Sequence, residues 1–254
     1  MIRVAGGAAY IVGMVFALTL AGCAATGGGS GGDPERVVNL IATDDVRGVR
    51  GAIESGALKA DQNVPTEGYP DGAPIIAIAA RAAALDVLKY LVSVGADVNA
   101  RTPVNETPLM LASFFFDDTL SGPRAFERHE SAVRLLVAAG ADLENDPHHY
   151  TALSYAAYQG NQRVVRFLIE RGARVNADAV DGTTYINTPL MMAAIQGHEP
   201  VVRLLLQAGA DPDVRLDGGY TAGELAARYR HLALSQLLLC AQRRYAAAAP
   251  APRC

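Results

Sequence analysis

The chain predicts an all-α repeat solenoid, a stack of about six helix-turn-helix units joined by β-hairpin-like turns. Three observations point there. The segment Asn187 to Asp213, NTPLMMAAIQGHEPVVRLLLQAGADPD, restates with other residues the segment Tyr150 to Ala177, YTALSYAAYQGNQRVVRFLIERGARVNA. A Gly-Ala pair recurs at Gly56-Ala57, Gly95-Ala96, Gly140-Ala141, Gly172-Ala173 and Gly209-Ala210, at spacings of 39, 45, 32 and 37 residues. A Thr opens the later units at Thr107, Thr151, Thr188 and Thr221. Recurrence at about 33 residues marks units that cannot bury their own apolar face alone and therefore stack.

Residues 1–22 stand apart from the repeats. Arg3 gives a short positive start, an apolar run follows to Leu20, and small residues end it. This is the pattern of a secretory signal rather than of a folded element. The alternative is an uncleaved membrane anchor, but the run is near the lower length limit for a span and contains Gly6, Gly7 and Gly13. Residues 23–33 follow as Cys23 and a Gly/Ser linker, AATGGGSGGD, of the composition of a flexible tether. Such a tether spans roughly 17 Å on average.

The repeat domain is expected over residues 34–244. The first unit lacks a Thr opening, and the second has Ala73-Pro74 where Thr-Pro would stand. In Thr188-Pro189 the hydroxyl caps a helix start and the Pro sits where no amide bond is lost. Thr221 with Glu224 reads as a capping box. The small pairs Ala156-Ala157, Ala193-Ala194 and Ala226-Ala227 let neighbouring helices approach. Val201, Val202, Leu204 and Leu205 form the apolar stripe of a second helix, and Gly209 ends that helix in a left-handed turn. The third unit carries an insertion near residues 114–127, beginning FFFDD, and the fifth has a longer approach at Asp181 to Asn187. The last unit, Tyr220 to Ala241, lacks the closing Gly-Ala-Asp, as suits an end that faces water. Residues 245–254 are an Ala/Pro-rich tail. The units are expected to make a single elongated stack with one continuous core.

A unit with a Thr-Pro-Leu opening and a Gly-Ala-Asp close resembles the ankyrin repeat. The usual His after Thr-Pro-Leu is absent, its place taken by Met110, Ser154, Met191 and Glu224. The stretch Leu20-Ala21-Gly22-Cys23 resembles the bacterial lipobox. That resemblance implies lipidation of Cys23, which becomes the first mature residue, and with Ala24 after it leans towards the outer membrane, facing the periplasm.

Composition narrows the function classes. Net charge is −4 at pH 7, from 22 Lys and Arg against 26 Asp and Glu, and no basic patch appears, which argues against nucleic acid as a partner. The five His are His129, His148, His149, His198 and His231. The adjacent pair His148-His149 lacks Cys or carboxylates at ligand spacing, so no metal and no cofactor are expected. No nucleophile elbow, phosphate loop or Ser/His/Asp order is visible, so no catalytic residue is assigned. Export would place Cys240 and Cys254 where disulfides persist. They either bridge, pinning the tail, or remain two thiols.

The resemblance implies a protein-binding scaffold, a monomer, with contacts on one concave face. The places that this family uses for partners hold His148, Tyr150, Tyr185, Asn187, Asp217 and Tyr220 on the turns. Behind the small pairs they hold Phe114, Phe115, Tyr158, Gln159, Ile195, Gln196, Arg228 and Tyr229. Tyr and Arg are favoured at binding hot spots. Tyr155 is read as core. Tyr158, Ile195 and Tyr229 are expected at equivalent places in one row, and Tyr150, Tyr185 and Tyr220 in a second. The expected role is binding of a protein partner in the cell envelope, as an immunity or accessory protein. The alternatives are an enzyme with a small site under the third-unit insertion and a structural tether.

Overall fold

The computed structural model describes residues 33–114, 122–144, 150–176, 188–215 and 219–247. The signal, Cys23, the linker and Cys254 therefore lie outside the described residues, as do Phe115, His148, His149, Tyr185, Asn187 and Asp217. Among the described residues no helix is long and apolar enough to cross a membrane.

Twelve helices and one hairpin are described. They are α1 (Pro34–Ala42), α2 (Val46–Glu54), β1 (Asn63–Thr66), β2 (Tyr69–Pro74), α3 (Ile75–Arg81), α4 (Leu85–Ser93), α5 (Pro108–Ser113), α6 (Gly122–Ala138), α7 (Ala152–Tyr158), α8 (Gln162–Glu170), α9 (Pro189–Gln196), α10 (Glu199–Gln207), α11 (Ala222–Arg228) and α12 (Leu232–Ala247). Read in order they are six helix pairs, a helical repeat solenoid. The hairpin that leads into α3 is antiparallel, with Asn63 opposite Pro74 and Thr66 opposite Tyr69. The last helix runs three residues past the expected boundary at 244. The chain divides into two compact units, Met1–Asp142 and Leu143–Cys254. The division falls just after the turn that closes the third helix pair.

The recurring letters act as expected. The Thr107, Thr151, Thr188 and Thr221 hydroxyls accept from the backbone N–H of Met110, Ser154, Met191 and Glu224 at 3.2–3.4 Å. Glu224 returns a bond from the Thr221 amide, completing the capping box. Pro74 begins α3 with no side-chain cap. Each closing glycine is left-handed, from φ +74° at Gly56 to +93° at Gly172. In four units the bond from that glycine's amide to the carbonyl three residues back is joined by a second. The amide of the following Ala reaches the Leu five residues back: Ala96 to Leu91, Ala141 to Leu136, Ala173 to Leu168 and Ala210 to Leu205, at 2.9–3.0 Å. This six-to-one, five-to-two pair satisfies carbonyls that a helix end otherwise leaves open. Those four Leu are fully buried and anchor the core of their units. Val201 and Val202 are buried beside Leu205, while Leu204 is half-buried.

The Asp and Asn after the Gly-Ala pair tie neighbouring turns together. Asn99 Oδ1 accepts from the Asp142 amide at 2.8 Å, and Asn176 Oδ1 from the Asp211 amide at 2.8 Å. Asn176 also donates to the Gly209 carbonyl at 3.1 Å. Glu144 plays this part for Arg174, accepting from its amide at 2.7 Å and from its guanidinium at 2.9 Å.

The third-unit insertion takes a specific form. It does not simply loop out near 114–127, because α6 begins at Gly122 and is 17 residues long where the neighbouring second helices have nine. About eight inserted residues therefore lengthen the helix, roughly two extra turns. This removes the usual junction between the two helices of a unit. In the later units the first residue after the turn closes it through its amide: Asn161 to Ala156, His198 to Ala193 and His231 to Ala226, at 2.8–3.1 Å. His129 holds that place in the third unit but lies inside the helix. There its buried ring does the work instead, with Nδ1 2.9 Å from the Ala112 carbonyl.

Candidate functional site

In the second compact unit the Thr caps and closing turns set α7, α9 and α11 in the same register, so their ends project comparable side chains. The turns leaving these helices fix which places correspond. Gly160, Gly197 and Arg230 carry left-handed φ of +72°, +79° and +69°. Counting back from them, Tyr158, Ile195 and Arg228 are equivalent, and Gln159, Gln196 and Tyr229 are the next set. The expected alignment of Tyr229 with Tyr158 and Ile195 is therefore one residue out. The last unit has Arg230 where the others have Gly, and the left-handed residue marks the register whatever its identity.

A second correction concerns Ile195. It is 9% exposed and offers floor rather than a projecting contact. The unit that follows sets His231 against this turn. His231 Nε2 donates to the Ile195 carbonyl at 3.0 Å. A Cβ built on Gly197 would stand 2.5 Å from the His231 ring. The arrangement repeats one unit earlier: His198 Nε2 donates to the Tyr158 carbonyl at 2.9 Å, and a Cβ on Gly160 would stand 2.7 Å from the His198 ring. Burial lowers the His198 pKa, with His231 adding to it and the Tyr158 carbonyl opposing. These histidines are structural clamps between units, and they hold the residues on either side of them in place.

Between the clamps a polar-aromatic cluster forms. The hydroxyl of half-buried Tyr158 lies near the Gln196 side chain and near Tyr229. Burial is the first cause of its raised pKa, Tyr229 the second, with Gln196 opposing. Tyr158, Gln196 and Tyr229 thus bring three successive units together, and Gln159 lies half-buried next to Tyr158. Tyr229 is 44% and Tyr220 40% exposed. Arg228, also exposed, stacks over the Tyr220 ring at 5.3 Å from its centroid and donates to its hydroxyl at 3.2 Å. Tyr150 meets Tyr155 edge-to-face at 6.2 Å. Tyr155 is buried, as read from the sequence. Of the expected turn row, Tyr150 is half-buried and Tyr220 exposed, and the middle member Tyr185 lies outside the described residues.

In the first compact unit, Phe114 is half-buried at the end of α5. Sequence reasoning missed a second group there: Tyr69 on the hairpin, Arg81 at the end of α3, and Glu106 just before the Thr107 cap. Tyr69 and Glu106 are buried, and the Tyr69 hydroxyl donates to the Glu106 carboxylate. The available signal was Arg81, a charge inside the apolar run Ile75 to Leu85. Cys240, half-buried on α12, is disulfide-bonded. Among the described residues no group of three or more His, Cys, Asp or Glu side chains is placed to hold a metal ion.

Comparison with known proteins agrees with this geometry. The family described as Ankyrin repeats (3 copies) matches residues 124–179, and that described as Ankyrin repeat matches residues 71–103 and 186–216. The mouse protein Ankyrin repeat and SAM domain-containing protein 6 is 38% identical over 80 residues, which is 31% of this chain and 8% of that protein. The chain thus spans a small fraction of that relative's length. Caps, left-handed closing turns and sequence matches agree: residues 71–103, 124–179 and 186–216 carry ankyrin repeats.

Proposed function

We propose that this chain is a lipid-anchored scaffold of the bacterial cell envelope, facing the periplasm from the outer membrane, that grips a protein partner on the face presenting Tyr158, Gln196, Tyr220, Arg228 and Tyr229. The observation that carries the reading is the Tyr158–Gln196–Tyr229 cluster, flanked by the stacked Arg228–Tyr220 pair. Tyr and Arg offer large, rigid area with a polar tip at low entropic cost. Tyr220 and Tyr229 keep about two-fifths of their surface in water, as residues awaiting a partner do. His148, Tyr150, Gln159, Tyr185, Asn187 and Asp217 belong to the same proposed contact set, with Ile195 as its apolar floor, and Phe114 and Phe115 are proposed contacts of the first unit by itself. The lipobox-like Leu20 to Cys23 and the Gly-rich linker support the anchor and the envelope location. In that compartment an exported toxin or an envelope enzyme is the class of protein the scaffold would hold, as its immunity or accessory partner. The proposed scaffold is a monomer. A bridge from Cys240 to Cys254 would tie down the tail after the last helix.

The test begins with capture of partners from native envelope by the mature chain, identified by mass spectrometry. Titration calorimetry then compares variants against the identified protein. Tyr158→Ala and Tyr229→Ala are each expected to weaken binding by about 1 kcal/mol or more. Arg166→Ala, exposed on α8, is expected to leave it unchanged. The reverse pattern would move the site to the second-helix side.

A further inference from the structure

We propose that the first compact unit holds a separate docking pocket for an aliphatic side chain of a partner segment, with an acidic residue beside it in that segment paired to Arg81. The inference rests on the reading of the chain as a protein-binding scaffold, but on different residues. Between α1, α3, α5 and the hairpin lies a cavity of about 60 Å³. Its apolar wall is Val38, Ala42, Ala77, Ile78 and Leu111. One water-sized sphere needs about 10–15 Å³, so the space suits a group of about four heavy atoms, such as a branched aliphatic side chain. The sequence reading assigned nothing to this place.

The polar side of the pocket says what accompanies that group. Tyr69 lines the pocket beside Arg81. Its hydroxyl is spent on the buried Glu106 carboxylate. The Arg81 guanidinium also lies 5.9 Å from the Tyr69 ring centroid. It is half-buried and makes no ion pair among the described residues. A guanidinium has five N–H donors in a fork that fits a carboxylate with two parallel bonds. The Tyr69 ring beside the guanidinium helps to position that fork. A half-buried cation beside an apolar recess is complementary to an aliphatic residue next to Asp or Glu. Glu67, exposed on the hairpin turn, is the other charge lining the pocket, and it opposes the incoming carboxylate.

The experiment uses the full chain and a displayed library of random twelve-residue peptides. Enriched peptides are expected to share an aliphatic residue within two positions of Asp or Glu. An enriched peptide, synthesised with acetylated and amidated ends and followed by fluorescence anisotropy, is expected to lose at least tenfold in affinity to Arg81→Met. Ala42→Phe fills the pocket from an exposed position and is expected to block binding with no change in melting temperature. Glu67→Gln is expected to tighten binding several-fold. Failure to enrich any peptide, or enrichment without an acidic residue, overturns the proposal. A peptide indifferent to Arg81→Met and Ala42→Phe but weakened by Tyr229→Ala refutes this pocket and leaves the aromatic surface standing. Sensitivity to Arg81→Met with none to Tyr158→Ala or Tyr229→Ala supports the pocket by itself.

Discussion

Gly160→Ala tests whether the histidine clamps decide where glycine is required. The same turn place holds Asp44, Ala83 and Arg230 in other units, at φ +55°, +47° and +69°, so a side chain is tolerated there in principle. At Gly160 the backbone strain of an Ala at φ +72° is about 1–2 kcal/mol. The new Cβ would also stand 2.7 Å from His198 Nδ1 and Cε1, closer than real contacts allow. The ring must move, and the 2.9 Å bond from Nε2 to the Tyr158 carbonyl goes with it, a further loss of roughly 0.5–1.5 kcal/mol. The expected total is about 2–3 kcal/mol. Gly209→Ala is the control: φ is +91° and a Cβ there meets nothing within 4 Å, so the strain alone remains. Urea melts of Gly160→Ala, His198→Ala, the double variant and Gly209→Ala supply the cycle. With His198 removed, Gly160→Ala is expected to cost no more than Gly209→Ala. A coupling between Gly160 and His198 below about 0.5 kcal/mol would refute the clamp.

Other outcomes follow from burial and sequence. Leu205→Ala, at a fully buried site, is expected to cost about 2–5 kcal/mol through lost burial and a cavity, against less than about 0.5 for Gln207→Ala on the exposed side of the same helix, both read from urea melts. Burial, the largest cause, and then Arg128 lower the His129 pKa below its ordinary 6.5, while the Ala112 carbonyl opposes. The folded state then resists protonation that the unfolded state accepts. This stability is complete above about pH 6.5 and declines as pH falls through the lowered value, as it does for His198. Urea midpoints at pH 7.5 and 5.5 should show the drop, and His129→Gln should shrink it. Cys23→Ser is expected to abolish lipid attachment, leaving an unprocessed or soluble form. Intact-mass analysis finding residues 1–20 still on the mature wild-type protein would contradict the lipobox reading.

The repeat architecture was legible in the sequence because its signals are local. A Thr three residues before the amide it caps, a Gly that must be left-handed and a Leu four residues before that Gly act within one or two helical turns. Thr107, Gly140 and Leu136 can therefore be read without knowing the neighbours. What needed the tertiary structure depends on the next unit along. Ile195 occupies an outward place by its spacing, yet it is buried, and His231, 36 residues later, binds its carbonyl. Tyr229 fell one place from its expected row because a left-handed Arg230 replaces the glycine that marks the register. His129 looked like an unremarkable histidine in an insertion, and only the lengthened α6 shows its ring standing in for a backbone amide. Tyr69, Arg81 and Glu106 are separated by 12 and 25 residues, and no periodicity links them. They meet because α3 and the hairpin fold Arg81 beside Tyr69, while Glu106, at the entry to α5, supplies the acceptor. Sequence spacing carries what a single unit needs to form itself; the contacts between units, which place the side chains a partner would touch, are decided by stacking.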